Sequence, residues 1–190
     1  MPRGQRAALP WWPRGKSRGV LASSPNLRLT ALRLEDGPDF VESIDEEVIE
    51  WQGFLPGNIA RFHEHYAQLV AARFRGRPTQ LAVRDPLTDE FLGSYSYSQD
   101  YSDYLADTVI LGWWLAPHAR GRGLGHESLQ LVLRWLHDEA LIGTVRIGTR
   151  ADNVRALAQI RTCGARFVAE HPTPLPNGTS PLGKWFVHEL

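Results

Sequence analysis

Apolar and polar residues alternate from Leu27 to Leu34, and that two-residue period predicts a strand. Residues 35–51 are richer in polar side chains and interrupted at Pro38, which predicts one or two short helices broken near that proline. Ile59, Phe62, Tyr66, Leu69, Val70, Arg73 and Phe74 fall at helical spacing, so a helix is expected over residues 57–75, ending at Gly76 and covering one face of a sheet. Thr79 to Arg84 and Phe91 to Ser98 flank the turn-forming Asp85-Pro86-Leu87-Thr88-Asp89 and predict an antiparallel hairpin, to which Thr108 to Leu115 adds a third strand. The clearest helix follows: Leu129, Val132, Leu133, Leu136 and Ala140 form one stripe, and Leu124, Leu131 and Trp135 widen it until most of the helix must be buried. Thr144 to Thr149 alternates as a strand, Asp152-Asn153 offers an N-cap, and Val154 to Thr162 makes a short helix closed near Gly164. Phe167 to Glu170 and Lys184 to His188 finish the chain as a hairpin around a loop rich in proline and glycine. Antiparallel strands followed by a β-α-β unit and a terminal hairpin describe a mixed α/β sheet.

Composition narrows the class without naming a function. The 190 residues suffice for one domain with a real core, and no apolar run approaches the roughly 20 residues that a membrane span needs. Cys163 is the single cysteine, so no intrachain disulfide can form, and no secretory signal pattern is visible; a cytoplasmic protein is expected. Lysine plus arginine balance aspartate plus glutamate at 21 each, yet residues 1–26 hold Arg3, Arg6, Arg14, Lys16 and Arg18 and no acid. This segment reads as a basic, flexible arm in front of a domain spanning residues 27–190. Trp11 and Trp12 are costly to leave in water and suggest docking on the body or on a second copy, a homodimer. No nucleic-acid partner is expected of so short an arm. The histidines show no metal-ligand spacing, so no metal is expected, and Cys163 reads as a small buried residue.

The chemistry concentrates between Trp113 and His126, where an apolar strand ends in a basic, glycine-rich turn that opens the buried helix. Backbone N–H groups at such a helix start lack intrahelical partners and sit at the positive end of the helix dipole, so the turn is an anion cradle. A P-loop would need lysine and a hydroxyl residue after its last glycine, but His126 and Glu127 follow Gly125. A dinucleotide fingerprint would need a third glycine where His126 stands, and an early β-α-β unit. The pattern that fits is Arg-x-x-Gly-x-Gly from Arg120 to Gly125, after a strand ending Trp-Leu-x-Pro.

That loop resembles the coenzyme A pyrophosphate loop of the GCN5-related N-acetyltransferase (GNAT) superfamily. Leu27 to Asp36 and Glu47 to Trp51 resemble the first strand and second-helix region of its ribosomal-protein-alanine branch, and Asn153-x-x-Ala156 with Cys163-Gly164-Ala165 resembles its downstream segments. The resemblance covers about residues 27–190 and implies a single α/β (α+β) domain: a mixed, mostly antiparallel sheet, splayed at the centre where Thr108–Leu115 and Thr144–Thr149 part, with helices on both faces. It implies acetyl-CoA as co-substrate. The pyrophosphate would take backbone N–H groups from Arg122, Gly123, Leu124, Gly125 and His126, with Gly121 in the turn and Arg120 and Arg122 pairing with phosphate oxygens. Trp114, Leu115 and Ala116 would pair with the pantetheine arm, and Asn153 would contact it as well as capping its helix.

Many relatives carry a tyrosine four residues after the position of Ala156 that protonates the departing thiolate; here Ile160 stands there, and alanine replaces serine at 156. For a base, Asp107, Glu127, Tyr95 and Tyr97 are candidates. A lysine ammonium is neutral in roughly one molecule in 2500 at pH 7, an α-amine in roughly one in ten, so an α-amine tolerates a weak base. The expected reaction is therefore acetyl transfer to an amine-bearing acceptor, a protein or peptide N-terminus first, by direct attack. Eight acids among residues 35–50, with no lysine or arginine, border the expected acceptor cleft and would attract a cation. Glu47, Trp51, Gln52 and Phe54 are the candidate acceptor wall. Two alternatives stay open: a catalytically silent domain that binds an acyl-CoA, and acetylation of a small amine such as a polyamine or aminoglycoside.

Overall fold

The structure, a computed structural model, describes residues 19–74, 76–99 and 108–190. Among the described residues, ten strands and five helices follow one another as β1 (Val20–Ser23), β2 (Arg28–Ala31), α1 (Gly37–Glu42), α2 (Glu46–Gln52), α3 (Pro56–Ala71), β3 (Arg73–Phe74), β4 (Arg77–Pro78), β5 (Gln80–Arg84), β6 (Phe91–Gln99), β7 (Thr108–Leu115), α4 (Leu124–Asp138), β8 (Thr144–Arg150), α5 (Val154–Thr162), β9 (Arg166–Pro172) and β10 (Leu182–Glu189). Eight strands make one sheet in the order β1-β2-β5-β6-β7-β8-β10-β9. Every neighbour is antiparallel except β7 and β8, which run parallel and pair only at Thr108–Thr144, Val109–Val145 and Ile110–Arg146. Beyond Ile110, β7 stays bonded to β6 and β8 stays bonded to β10, so the sheet opens into a V where the sequence resemblance places its splay.

Alternation along the strands supplies two cores, one per face. Leu29, Leu81, Val83, Tyr95, Leu111 and Val145 point toward α4 and α5, whose Leu129, Val132, Leu136, Leu157 and Ile160 complete the larger core. Ala82, Phe91 and Leu32 point the other way, under Phe40 of α1, Val48 of α2 and Tyr66 of α3. Phe40 gathers the rings of Phe62, Tyr66, Phe91 and Trp114 around it at centroid separations of 5.2–6.5 Å, in the edge-to-face arrangement that aromatic quadrupoles favour. Among the described residues no helix is long and apolar enough to cross a membrane.

Three boundaries differ from the sequence reading, each for a local reason. Val20–Ser23, inside the expected arm, is the edge strand β1, tied to β2 through a turn at Ser24–Leu27; Trp11, Trp12 and the basic residues before it lie outside the described residues. The long α3 stops at Ala71, because Gly76 at φ +77° turns the β3–β4 ribbon instead of capping a helix. The first predicted strand shortens to Arg28–Ala31, since Leu34–Asp36 wind into a 3-10 turn closed by the Asp36 carboxylate on the Arg33 N–H.

That carboxylate also anchors a buried arginine. Asp36 and Arg84, each 4% exposed at the side chain, meet at 2.5 Å, and Arg84 also donates to the Thr30 hydroxyl and the Asp89 carbonyl. Deleting one partner strands the other charge in the core, a loss of about 3–5 kcal/mol. Arg84→Met should therefore lower the unfolding free energy by about that much in a urea titration, and adding Asp36→Leu should restore most of it. An Arg84→Met protein as stable as the parent would remove this pair as the anchor of the β2–β5 corner.

Candidate functional site

The V between β7 and β8 continues into a cleft of about 1160 Å³, above the roughly 300–1,000 Å³ of ordinary small-molecule pockets. One end is the glycine turn. After β7, Pro117–Ala119 form a 3-10 turn, Gly121 and Gly123 take φ of +73° and +77°, and α4 begins at Leu124 with no side chain capping its N-terminus. The first-turn N–H groups of a fifteen-residue helix are thus offered to the cleft with the positive end of its dipole behind them. Gly125 is held by close packing, because a Cβ there would collide with the Gln159 carboxamide.

Strand alternation decides which backbone groups of β7 face the opening. Ala116 N–H donates to the Leu92 carbonyl on the β6 side, whereas the Trp113 and Leu115 carbonyls accept from Gln52 Nε2 (3.3 Å) and Arg120 Nε (3.0 Å) on the other. Odd-numbered positions therefore present their backbone to the V, and Trp114 and Ala116 do not. Of the three residues expected along a pantetheine arm, Leu115 turns its backbone to the opening, Trp114 lines the cleft with its backbone turned to β6, and Ala116 is not in the lining. Trp113, which the sequence reading did not name, shares the orientation of Leu115 by the two-residue period of the strand. Its indole stacks on Tyr95 at 5.8 Å and donates to Gln159 Oε1, while Trp114 turns into the second core and donates to the Ser43 hydroxyl.

Arg120, expected on phosphate, has its guanidinium on protein groups: two bonds to Asp45 at 2.7 and 2.9 Å and one to Glu47 at 3.1 Å. Hydrogen bonding from Arg120 holds the Asp45 carboxyl below the usual range and raises the Arg120 pKa in turn. Asp45 is also the N-cap of α2, accepting from Val48 N–H, and Glu47 reaches Arg155 on α5 at 2.7 Å. Arg155 is a residue that sequence reasoning passed over. Gly121, Gly123, Gly125, His126 and Asn153 line the cleft; Arg122 and Leu124 do not, and Arg122 borders a separate hollow with Asp85 and Glu127. His126 Nδ1 sits 2.9 Å from the Thr162 hydroxyl, and Asn153 Oδ1 caps α5 by accepting from Ala156 N–H.

The cleft also has aromatic walls. Trp51 lies under the Arg150 guanidinium at 4.7 Å, and Trp185 lies across Gly148, where a Cβ would come within 2.8 Å of its ring. Phe54, expected in this wall, packs instead against Phe62 and Trp114 in the second core. The acids of residues 35–50 are not one open face: Asp36 is buried on Arg84, and Asp45 and Glu47 are paired with Arg120.

The base candidates fare differently from one another. Glu127 faces away from the cleft wall and receives Ser24 Oγ (2.5 Å), Asn26 Nδ2 (3.0 Å) and Asn26 N–H (3.4 Å), and the Ser24 bond in particular pulls its pKa down. Tyr95 is fully buried on Ser128, and burial raises its pKa. Tyr97 lines the cleft, but burial pushes its phenol up to about 12, so it carries its proton at neutral pH. Asp107 lies outside the described residues. Ile160 is wholly buried, so no side chain reaches the cleft from that position. Glu47 is the sole carboxylate lining the cleft among the described residues.

Comparison with known proteins adds one sequence match and several structural ones. A domain model described as "Acetyltransferase (GNAT) domain" matches residues 26–166. No curated protein matches the chain. Among solved structures, RimL, a ribosomal-protein α-N-acetyltransferase in complex with coenzyme A, superposes with a TM-score of 0.75 at 16% identity, covering 90% of this chain and 98% of its own. RimJ of Mycobacterium smegmatis with a coenzyme A disulfide gives 0.70 at 16% identity, over 86% and 81%. The microcin self-immunity acetyltransferase MccE, with acetyl-CoA and AMP, gives 0.71 at 16% identity, over 88% and 94%.

The contacts of Glu127 make it a structural tie between the β1–β2 turn and α4. Its folded pKa is depressed, so its contribution is present above the unfolded carboxyl pKa near 4.3 and lost as pH falls through the folded value. Glu127→Gln should cost about 1 kcal/mol at pH 7 in thermal melts, with the difference from the parent closing on the way to pH 3. A difference that persisted unchanged at pH 3 would refute the tie.

Proposed function

This chain belongs to the GNAT family of acetyltransferases, its family domain spanning residues 26–166, and on that premise we propose that it moves an acetyl group from acetyl-CoA to the α-amine of a peptide or protein N-terminus. The observation that carries the donor half is the V itself: an uncapped helix start with two left-handed glycines at one end, and an unpaired strand edge leading from it into the sheet. Backbone N–H groups around Gly123, Gly125 and His126 hold the diphosphate, and the Trp113 and Leu115 edge takes the amide-rich arm as an added strand would be taken. The acetyl end then lies where β7 and β8 part.

Acceptor class follows from what the cleft offers as a base. Its one carboxylate among the described residues, Glu47, is shared between two arginines, and its phenol, Tyr97, is protonated. Among the described residues the cleft thus holds no carboxylate free of an arginine, and its imidazole, His126, is engaged by the Thr162 hydroxyl. The amine must arrive largely deprotonated by its own pKa, which favours an α-amine over a lysine side chain by roughly two orders of magnitude at pH 7. The neutral nitrogen attacks the thioester carbon, the C–S bond breaks, and the amine's excess proton leaves to water while the thiolate is reprotonated. What the chain contributes is placement of the two reactants.

Two measurements test this. Gly123→Glu places a charged side chain in the cradle at a φ of +77° that favours glycine, and calorimetry should then find acetyl-CoA binding abolished; undiminished binding would refute the loop assignment. For the acceptor, thiol release with an N-terminal peptide should rise with pH through a midpoint near 8, while the same peptide with a blocked α-amine and a free lysine should turn over at least tenfold more slowly at pH 7. Equal rates with both would reject the α-amine.

A further inference from the structure

Two of the arginines that line the cleft already hold anions of the protein's own. Arg120 leaves the glycine turn for Asp45 and Glu47, and Arg155, in the first turn of α5, comes to Glu47 from the other side, at 2.7 to 3.1 Å in each case. Glu47 therefore bridges two cations that border the cleft on different elements, as a bound phosphate would. All three side chains are open to solvent, at 21% for Arg120, 35% for Glu47 and 71% for Arg155, so an incoming anion reaches them without unpacking the core. The same short helix places Gln52 on the Trp113 carbonyl, one of the edge groups an arriving arm would use. α2 thus occupies positions at both the charged and the extended parts of the cleft.

We propose that Glu47 is a phosphate surrogate: it holds Arg120 and Arg155 and competes with the phosphates of the coenzyme for them. The proposal rests on reading the cleft as a coenzyme A site. Its consequence is kinetic as well as thermodynamic. When the acetyl group has moved and free coenzyme remains, the carboxylate recaptures both arginines and speeds departure, a step that limits turnover in many enzymes. Glu47 is then a positioning residue for the cations and touches no reacting atom. A carboxylate that simply oriented the two guanidiniums for phosphate would have the opposite effect on affinity, and that contrast makes the idea testable.

Coenzyme A itself is the probe, titrated by calorimetry into the full chain and into Glu47→Gln and Glu47→Ala, with thermal melts confirming that each variant is folded. Competition predicts that Kd falls about tenfold in both variants, that the dependence of Kd on salt steepens, and that dissociation in stopped flow slows by a similar factor. Arg155→Gln should weaken binding, and in Arg155→Gln/Glu47→Gln the gain from Glu47→Gln should shrink. Unchanged or weaker binding by the Glu47 variants, with the parent binding normally, overturns the surrogate and leaves the donor site standing. A parent chain that binds no coenzyme A overturns the donor site and the surrogate with it.

Discussion

Everything that gives this chain a site depends on two parallel strands ceasing to pair. β7 and β8 share three register positions and then diverge, because each is committed on its other edge, β7 to β6 through Leu115 and β8 to β10 through Arg150. Neither strand can bend to meet the other without breaking a ladder that runs the length of its partner. The unpaired N–H and C=O groups inside a sheet would ordinarily be costly. Here Gln52 and Arg120 cover two of the carbonyls, and the rest face a wide, open cleft.

Rigidity on both sides keeps the opening at a fixed width. On one face α4 is buried along nearly its whole length, so the glycine turn at its start is carried by a helix that cannot shift without disturbing Leu129, Val132 and Leu136. On the other, the Phe40 aromatic cluster and the Arg84–Asp36 pair fix the corner from which α2 reaches across. α2 is short, seven residues, and its hold on the cleft is chiefly electrostatic: Asp45 and Glu47 at its start, Gln52 at its end. Charge pairs at partly exposed positions are individually weak. Such an element is well suited to yield when a highly charged ligand arrives.

Much of this was legible in the chain. β7, α5 and the start of α4 fall where alternation, the 3.6-residue period and the Asn153 cap put them, because each has a dense apolar signal bounded by a strong stop. The shape of the glycine turn was legible for the same reason, since backbone conformation is what glycine spacing encodes. β1 was not legible, since Val20–Ser23 has no period of its own and becomes a strand only by pairing with β2 beside Ala82 and Val83. Phe54 was placed in the acceptor wall, and aromatic packing against Phe62 and Trp114 holds it in the second core instead. Side-chain roles were the least legible, as Arg120 shows: the same guanidinium suits a phosphate or a carboxylate, and which it meets depends on Asp45, seventy-five residues earlier.

The charge balance of the cleft bears on how much chemistry the protein must supply. A general base at this site would need a carboxylate free of cations, or an imidazole or phenol with a pKa near neutrality. Among the described residues the cleft instead sets the Glu47 carboxylate between two guanidiniums, sets the Tyr97 phenol where burial favours its neutral form, and ties the His126 imidazole to the Thr162 hydroxyl. None of these is a carboxylate free of cations. These arrangements are coherent if the nucleophile arrives competent and the donor is an activated thioester, for then the barrier left to lower is one of encounter and alignment. A sheet held open by its flanking ladders, with an anion cradle and aromatic walls lining the cleft, is suited to that task.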